Sequence, residues 1–172
     1  EWGELDVMIV DMPPGTGDAQ LSLVQTLRLD GVVMVTTPQD VSTGDVLRGI
    51  KMFEKTNTRV LGVVENMSGF ICDGCGKGHD IFGTGGADAF ARELELDVLG
   101  RIPIEPGVRA GGDAGVPITS TQYPGGDASP AAQAMREVAR TIAGRVSVLA
   151  APTAAAGVGS GTAAMAGPGP AA

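Results

Sequence analysis

The residue with the clearest chemical meaning is an aspartate that directly follows a short apolar run. Val7 to Val10 form that run, and Asp11 follows it. A continuous apolar run is typical of a parallel strand that helices cover on both faces. Open α/β sheets bind ligands beyond the carboxyl ends of their strands, where an acid can help to hold Mg²⁺ beside nucleotide phosphates. We therefore predict Asp11 to be a catalytic residue that acts through Mg²⁺.

The residues after Asp11 favour this role over a plainer one, in which Asp11 only begins a loop or caps a helix. The stretch from Pro13 to Asp18 is a stiff turn with two glycines, Gly15 and Gly17. Such a backbone can lie close to a phosphate and move when the phosphate leaves. The phosphate-binding loop that accompanies such an acid, G-x-x-x-x-G-K-[ST], does not occur in the sequence. We therefore interpret the chain as the C-terminal part of a longer protein.

Polar residues that follow the next predicted strands should lie at the same edge of the sheet as Asp11. Thr36 and Thr37 end the second predicted strand, and Asn66 follows the third. The Asn66 amide can both donate and accept, which suits the edge of a purine, whereas the alternative is an asparagine that bonds its own backbone. We predict that Asn66, and the backbone around Pro103 after the fourth strand, contact the base of a nucleotide.

The second candidate site is the cysteine pair in Cys72-Asp73-Gly74-Cys75. Thiolates select Zn²⁺, Cu(I) or iron–sulfur clusters. Nearby glycines disfavour the helix start that a thioredoxin-like dithiol requires. A closed zinc site or a [4Fe–4S] cluster needs four ligands, but this segment offers two thiols and His79, which we interpret as facing solvent. We predict Cys72 and Cys75 to be metal ligands, with two chains contributing one pair each.

The elements that must position these residues alternate between strands and helices, which predicts βαβ units and a parallel sheet. Strands are predicted at 7–10, 32–37, 60–64 and 98–102, and helices at 18–31, 46–53, 87–94 and 130–149. The glycine-rich segment 69–86 is predicted to be irregular. Residues 1–149 are expected to form one domain. Residues 150–172 are uncharged and rich in Ala, Gly and Pro, which predicts a disordered tail.

Composition and charge exclude some classes of partner and indicate the compartment. The 172 residues carry a net charge of -8, which argues against nonspecific binding to nucleic acid or to an anionic membrane. No apolar run approaches the length of a membrane span. Two cysteines in a chain without a secretory segment suggest the reducing cytoplasm and a metal or redox role. We predict a cytoplasmic protein without a nucleic-acid or membrane partner.

Taken together, the motifs resemble those of the Mrp family of iron–sulfur cluster carrier ATPases, over roughly Leu5 to Val146. The matching segments, in the family's order and spacing, are 10–18, 36–39, 64–68, Cys72-x-x-Cys75, 81–83 with 85–86, and 102–103. The resemblance implies a MinD-like, deviant P-loop fold that binds ATP and Mg²⁺ and forms a homodimer. It also implies a [4Fe–4S] cluster held between subunits by paired CxxC motifs, with scaffold proteins and apo iron–sulfur proteins as partners. By this match Asp11 is the Walker B acid, Asn66 an adenine contact, and Cys72 and Cys75 the cluster ligands.

Two departures from the family pattern and two alternative functions remain. The deviant P-loop is absent, which puts ATP turnover by this chain in doubt, and Asp73 stands where members often carry Pro. One alternative is a MinD/ParA-like positioning ATPase, which shares the nucleotide site but does not need the CxxC motif. The other is a zinc-stapled structural module. The lack of a basic or membrane-binding C-terminal helix counts against the first alternative, and the identity of the metal decides the second.

Overall fold

A computed structural model describes residues 2–13, 17–72 and 74–150, without the side chains of residues 40, 43 and 45. Within these ranges the chain alternates helices and strands as an α/β fold. The elements are α1 (Asp18–Thr26), β1 (Val32–Thr36), α2 (Asp40–Lys55), β2 (Val60–Ile71), β3 (Gly78–His79), α3 (Gly86–Glu93), β4 (Val98–Ile104), α4 (Pro106–Asp113) and α5 (Pro130–Ala150). Beyond Ala150, the predicted disordered tail lies outside the described residues.

The sheet is built around β2, which pairs in parallel with β1 on one side and with β4 on the other. The short strand β3 pairs antiparallel with the C-terminal end of β2, through Phe70 with His79 and Ile71 with Gly78. The predicted α/β class and the parallel pairing of three strands are confirmed. The sheet as a whole is mixed because β3 runs in the opposite direction.

Helices cover both faces of β2 because successive strand residues point to opposite sides. Val63 packs in a cluster with residues of α2 and α3, while the next residue, Val64, packs in a cluster with β4 and α5. The helix α5 approaches β4 closely, since a Cβ added at Gly100 would lie 2.5 Å from Cγ2 of Val138. The buried members of the two clusters are Val46, Ile50, Val63, Ala87 and Phe90, and Val64, Leu99 and Val138.

The prediction of a buried strand at residues 7–10 is wrong for this structure. The segment has no regular secondary structure, and Val7 and Ile9 are 53% and 88% exposed. Within the described residues no strand is paired with this segment. Without a neighbouring strand, its backbone has no hydrogen-bonded ladder and its apolar side chains have no helix layer to pack against.

Several predicted element boundaries also differ from the structure. The strand β2 continues to Ile71, past the polar residues that end its apolar run, and β4 continues through Pro103 to Ile104. The segment 69–86 is therefore not wholly irregular. The helix α1 begins at Asp18, with Gly17 as its N-cap, and ends before Gly31. The helix α4, which the sequence prediction missed, has Pro in its first turn, a usual helix-start signal.

The predicted start of α5 is confirmed in detail. The Ser129 hydroxyl accepts a hydrogen bond from the backbone N–H of Ala132 at 3.0 Å and so caps the helix. The Glu105 carboxylate, at the end of β4, accepts a second bond from the N–H of Ala131 at 3.0 Å. Negative charge at a helix N-terminus is favourable, so Glu105 fastens α5 to the sheet. No helix in the described part of the chain is long and apolar enough to cross a membrane.

Candidate nucleotide cavity and cysteine hairpin

A cavity of about 240 Å³ lies at the carboxyl end of β1, beside Asn66 in the middle of β2. Its lining includes Thr36, Thr37 and Asn66, three of the residues predicted to share one edge of the sheet, together with Val35, Ser42 and Val46. Hydroxyl groups concentrate here, with the Oγ1 of Thr37 2.7 Å from the Oγ of Ser42. The cavity therefore offers several groups that can both donate and accept hydrogen bonds to a polar ligand.

Asn66 combines a local structural role with its place in this cavity. Its Oδ1 accepts a hydrogen bond from the backbone N–H of Met67 at 2.9 Å. Met67 has a φ of 58°, in the left-handed region that side chains with a Cβ avoid, and the Asn66 bond supports this conformation. The bond occupies Oδ1 and involves neither hydrogen of the side-chain NH₂ group. A ligand that accepts from the NH₂ group would leave this bond in place, and the base contact of Asn66 stays a prediction.

Pro103 lines a second cavity, of about 300 Å³, at the carboxyl ends of β2 and β4. This cavity is mainly apolar and is formed by Phe70, Ile71, Pro103, Ile104, Glu105, Pro106, Gly107 and Pro130. Asn66 pairs in the sheet with Ile102, the residue before Pro103. The two predicted base contacts therefore lie on adjacent strands but line different cavities.

Asp11 lies in the exposed segment without secondary structure and lines neither cavity. Its neighbour Met12 is half-buried and packs against Val24, Met52 and Phe53, which fastens the end of the segment to α1 and α2. The structure thus brings Thr36, Thr37 and Asn66 together in one cavity, whose lining does not include Asp11. Its assignment as the magnesium-binding acid stays a prediction.

The cysteine pair occupies the loop of a β-hairpin. Cys72 directly follows β2, and Cys75 lies in the turn that leads to β3. Two bonds shape the loop, from the N–H of Gly76 to the carbonyl of Cys72 at 2.7 Å and from the N–H of Cys72 to the carbonyl of Lys77 at 3.0 Å. Cys75 is exposed and Cys72 is half-buried. The hairpin therefore presents a thiol at the surface, at the end of the central strand.

Among the residues that the structure describes, His79 and the acidic side chains add no further ligands to the two thiols. His79 is exposed, as predicted, and its ring centroid lies 6.4 Å from that of Phe70. Among the described residues, no three side chains of His, Cys, Asp or Glu are grouped closely enough to hold a metal ion. Two thiols do not complete the four-coordinate site that zinc or a [4Fe–4S] cluster requires.

Glu65 is a structurally central residue that the sequence prediction missed. It is only 1% exposed, and the N–H of Ala87 donates to its Oε2 at 2.9 Å. The hydroxyl of Ser68 donates to its Oε1 at 2.6 Å, and the Nε of Arg101 lies 3.5 Å from the same oxygen. A buried carboxylate is tolerated only when it is paired and hydrogen-bonded in this way. The signal in the sequence is an acid that directly follows the apolar run of β2.

A family model described as "ParA: NUBPL iron-transfer P-loop NTPase" matches residues 1–143 of the chain. The chain belongs to this family. The resemblance to iron–sulfur cluster carrier ATPases is thereby confirmed.

Curated relatives of this NUBPL-type chain carry matching names. The iron–sulfur cluster carrier protein of Synechocystis is 51% identical over 150 residues, which cover 87% of the chain and 41% of the relative. The iron–sulfur cluster transfer protein NUBPL of Mus musculus is 47% identical over 131 residues, which cover 76% of the chain and 41% of the relative. The chain thus spans about two fifths of the length of these relatives.

Solved structures confirm the predicted MinD-like P-loop fold. A nucleotide-binding protein of Archaeoglobus fulgidus, solved in complex with ADP, is 43% identical, with a TM-score of 0.60 over 66% of the chain and 47% of that protein. The cell division ATPase MinD of Pyrococcus furiosus is 23% identical, with a TM-score of 0.51 over 66% of the chain and 42% of that protein. At that lower identity, the second likeness concerns the fold alone.

The hydrogen bonds and the ion pair of Glu65 predict that this residue stabilises the fold. We expect Glu65→Ala to lower the free energy of unfolding by about 3 kcal/mol, because the buried N–H of Ala87 and the Arg101 guanidinium lose their acceptor. Denaturant unfolding followed by circular dichroism measures the change. Asp88→Ala is the control, since it removes an exposed partner of the same arginine and should cost less than about 1 kcal/mol. Equal losses in both variants would contradict the central role of Glu65.

Proposed function

We propose that this chain is the cluster-binding part of an iron–sulfur cluster carrier, in which the cysteine hairpin binds a [4Fe–4S] cluster as cargo. The observation that carries this proposal is the position of Cys72 and Cys75 in a surface hairpin at the end of the central strand. A cargo site must be reachable by the protein that supplies the cluster and by the one that receives it. The hairpin meets this requirement, whereas a buried thiol pair would not.

The number of thiols in the chain supports binding of the cluster by a homodimer. The whole chain contains two cysteines, and a [4Fe–4S] cluster takes four thiolates. A two-fold axis places the same loop of each protomer face to face, so two hairpins can complete one cluster. A cluster bound at an exposed interface can also be released readily, which suits transfer to apo iron–sulfur proteins and loading from scaffold proteins.

The nucleotide part of the proposal rests on the cavity at the end of β1, beside Asn66 of β2. We assign ATP with Mg²⁺ to the complete protein, with Asn66 and the backbone around Pro103 at the adenine and Asp11 at Mg²⁺. The relative from Archaeoglobus fulgidus, solved with ADP, supports nucleotide binding by this fold. The hydroxyl groups of Thr36 and Thr37 in the cavity are consistent with a polar ligand.

The carrier function is better supported than either alternative. Relatives with about half of their residues identical to this chain are named iron–sulfur cluster carrier or transfer proteins. The cell division ATPase MinD of Pyrococcus furiosus is 23% identical to the chain, and this likeness concerns the fold alone. The cysteine usage supports the cytoplasm as the compartment, and the net charge of -8 supports the absence of nucleic-acid and membrane partners.

The test of the proposed function is the metal content of the complete protein. After anaerobic reconstitution with iron and sulfide, we expect about four irons and about four sulfides per two chains, because each chain supplies two thiolates. Iron and sulfide analysis, with light scattering to size the loaded protein, measures this ratio. Incubation with an apo [4Fe–4S] enzyme should then restore that enzyme's activity. Zinc without iron, or a complete cluster on a monomer, would contradict the proposal.

A further inference from the structure

The strand β2 carries an irregularity between the nucleotide cavity and the cysteine hairpin. Asn66 pairs with Ile102 and Phe70 pairs with Ile104, so residues 67–69 of β2 face only Pro103 of β4. Proline has no backbone N–H, and the ladder cannot close opposite it. The three residues form a bulge, and Cys72 follows it at the end of the same strand.

The conformation of this bulge depends on side-chain bonds. Met67 and Gly69 both have left-handed backbone angles, with φ of 58° and 78°. The Asn66 side chain accepts a hydrogen bond from the backbone N–H of Met67, the first residue of the bulge. The hydroxyl of Ser68, the second residue of the bulge, donates to the buried Glu65 carboxylate. Loss of either bond leaves a strained segment with less support.

The Glu65 carboxylate also reaches the element that follows the hairpin. Its second oxygen accepts the N–H of Ala87 in the first turn of α3, which begins at Gly86. A Cβ added at Gly86 would clash with the carbonyl oxygen of Pro38, so the start of α3 also packs directly against the loop after β1. One buried carboxylate thus holds both the bulge that leads into the cysteine hairpin and the helix that comes after it.

We propose that the bulge at residues 67–69 transmits ligand binding at Asn66 to the cysteine hairpin. Glu65 is the positioning residue that sets the conformation of this bulge. Unlike a ligand that only accepts from the NH₂ group, a ligand that donates a hydrogen bond to Oδ1 of Asn66 competes with the N–H of Met67 for that oxygen. The bulge then rearranges, and the hairpin that carries Cys72 moves with it. The Ser68–Glu65 bond gives the bulge its defined starting conformation, so the response depends on that bond. This inference rests on the proposed nucleotide and cluster sites.

The test uses the complete, cluster-free protein and measures the alkylation rate of Cys72 by iodoacetamide, with the labelled residue identified by peptide mass spectrometry. We expect saturating Mg²⁺–ADP to raise this rate at least about fivefold, since Cys72 is half-buried and a shift of the hairpin can expose it further. Ser68→Ala should reduce the response to less than about twofold while ADP still binds. Two control variants should respond to Mg²⁺–ADP like the unmodified protein. Ser68→Thr retains the hydroxyl that donates to Glu65, and Ser147→Ala makes the serine-to-alanine change at an exposed position of α5.

Calorimetric titration with ADP separates failure of the coupling from failure of the proposed function. An equal response in Ser68→Ala and the unmodified protein, with ADP bound to both, would overturn the role of Glu65 and leave the carrier function standing. The same conclusion follows if bound ADP leaves the Cys72 rate of the unmodified protein unchanged. Failure of the unmodified protein to bind ADP would overturn the nucleotide site and the coupling together.

Discussion

Replacing Cys72 or Cys75 with serine is expected to remove the iron–sulfur cluster from the complete protein. A serine hydroxyl is a poor substitute for a soft thiolate, and each substitution removes two of four ligands from a symmetric dimer. Iron bound after reconstitution should fall from about four per dimer to less than about one. The visible absorption of the cluster and iron analysis of the desalted protein measure this loss.

The control for this prediction is His79→Gln on the same hairpin. His79 is exposed and lies on β3, two strand residues that follow the cysteine loop. If the cysteines alone bind the cluster, this variant should retain the full iron content. Nucleotide binding should also persist in the cysteine variants, because neither cysteine lines the cavity that contains Asn66. A cluster retained by either serine variant, or lost in His79→Gln, would count against the assigned ligands.

The chain of 172 residues is expected to release phosphate from ATP more than about a hundredfold more slowly than a version extended upstream by a phosphate-binding loop. Backbone N–H groups and a lysine of such a loop hold the phosphates, and the sequence contains no such loop. Asp11 lies in an exposed segment without secondary structure, so we do not expect it to position Mg²⁺ and ATP alone. A coupled-enzyme assay of phosphate release at saturating ATP measures both proteins.

The extended protein also tests the role of Asp11. We expect Asp11→Asn to reduce its turnover about a hundredfold or more, because the acid that helps to hold Mg²⁺ is lost. Asp6→Asn is the matched control, since Asp6 is an exposed acid in the same segment, before the apolar run. Turnover by the unextended chain at the rate of the extended one would show that another loop binds the phosphates. Equal activity of the two asparagine variants would remove Asp11 from the mechanism.

Local patterns predicted most of the secondary structure. The apolar runs that became β1 and the first half of β2, and the Ser129-Pro130 helix start, all depend on residues close together in the sequence. Neighbouring residues also account for the exposure of His79. Such features are predictable because the interactions that create them act over a few residues.

Features that depend on distant partners were predicted incorrectly or missed. The apolar run at 7–10 has the composition of a strand, but a strand exists only where another one pairs with it. The burial of Glu65 depends on Ala87 and Arg101, which lie 22 and 36 positions later in the chain. Nothing in the residues around Glu65 specifies those partners.

The sequence by itself determined the chemistry that this protein can offer: two thiols in a glycine-rich loop, an acid after an apolar run, and polar residues after successive apolar runs. Only the tertiary structure decided how these groups are combined. It placed Thr36, Thr37 and Asn66 in one cavity and Pro103 in another. It also inserted a bulge held by Glu65 between the cavity and the cysteines. The physical reason is that the register of β2 against β1 and β4, and the packing of α3 on β2, bring together residues that no local pattern relates.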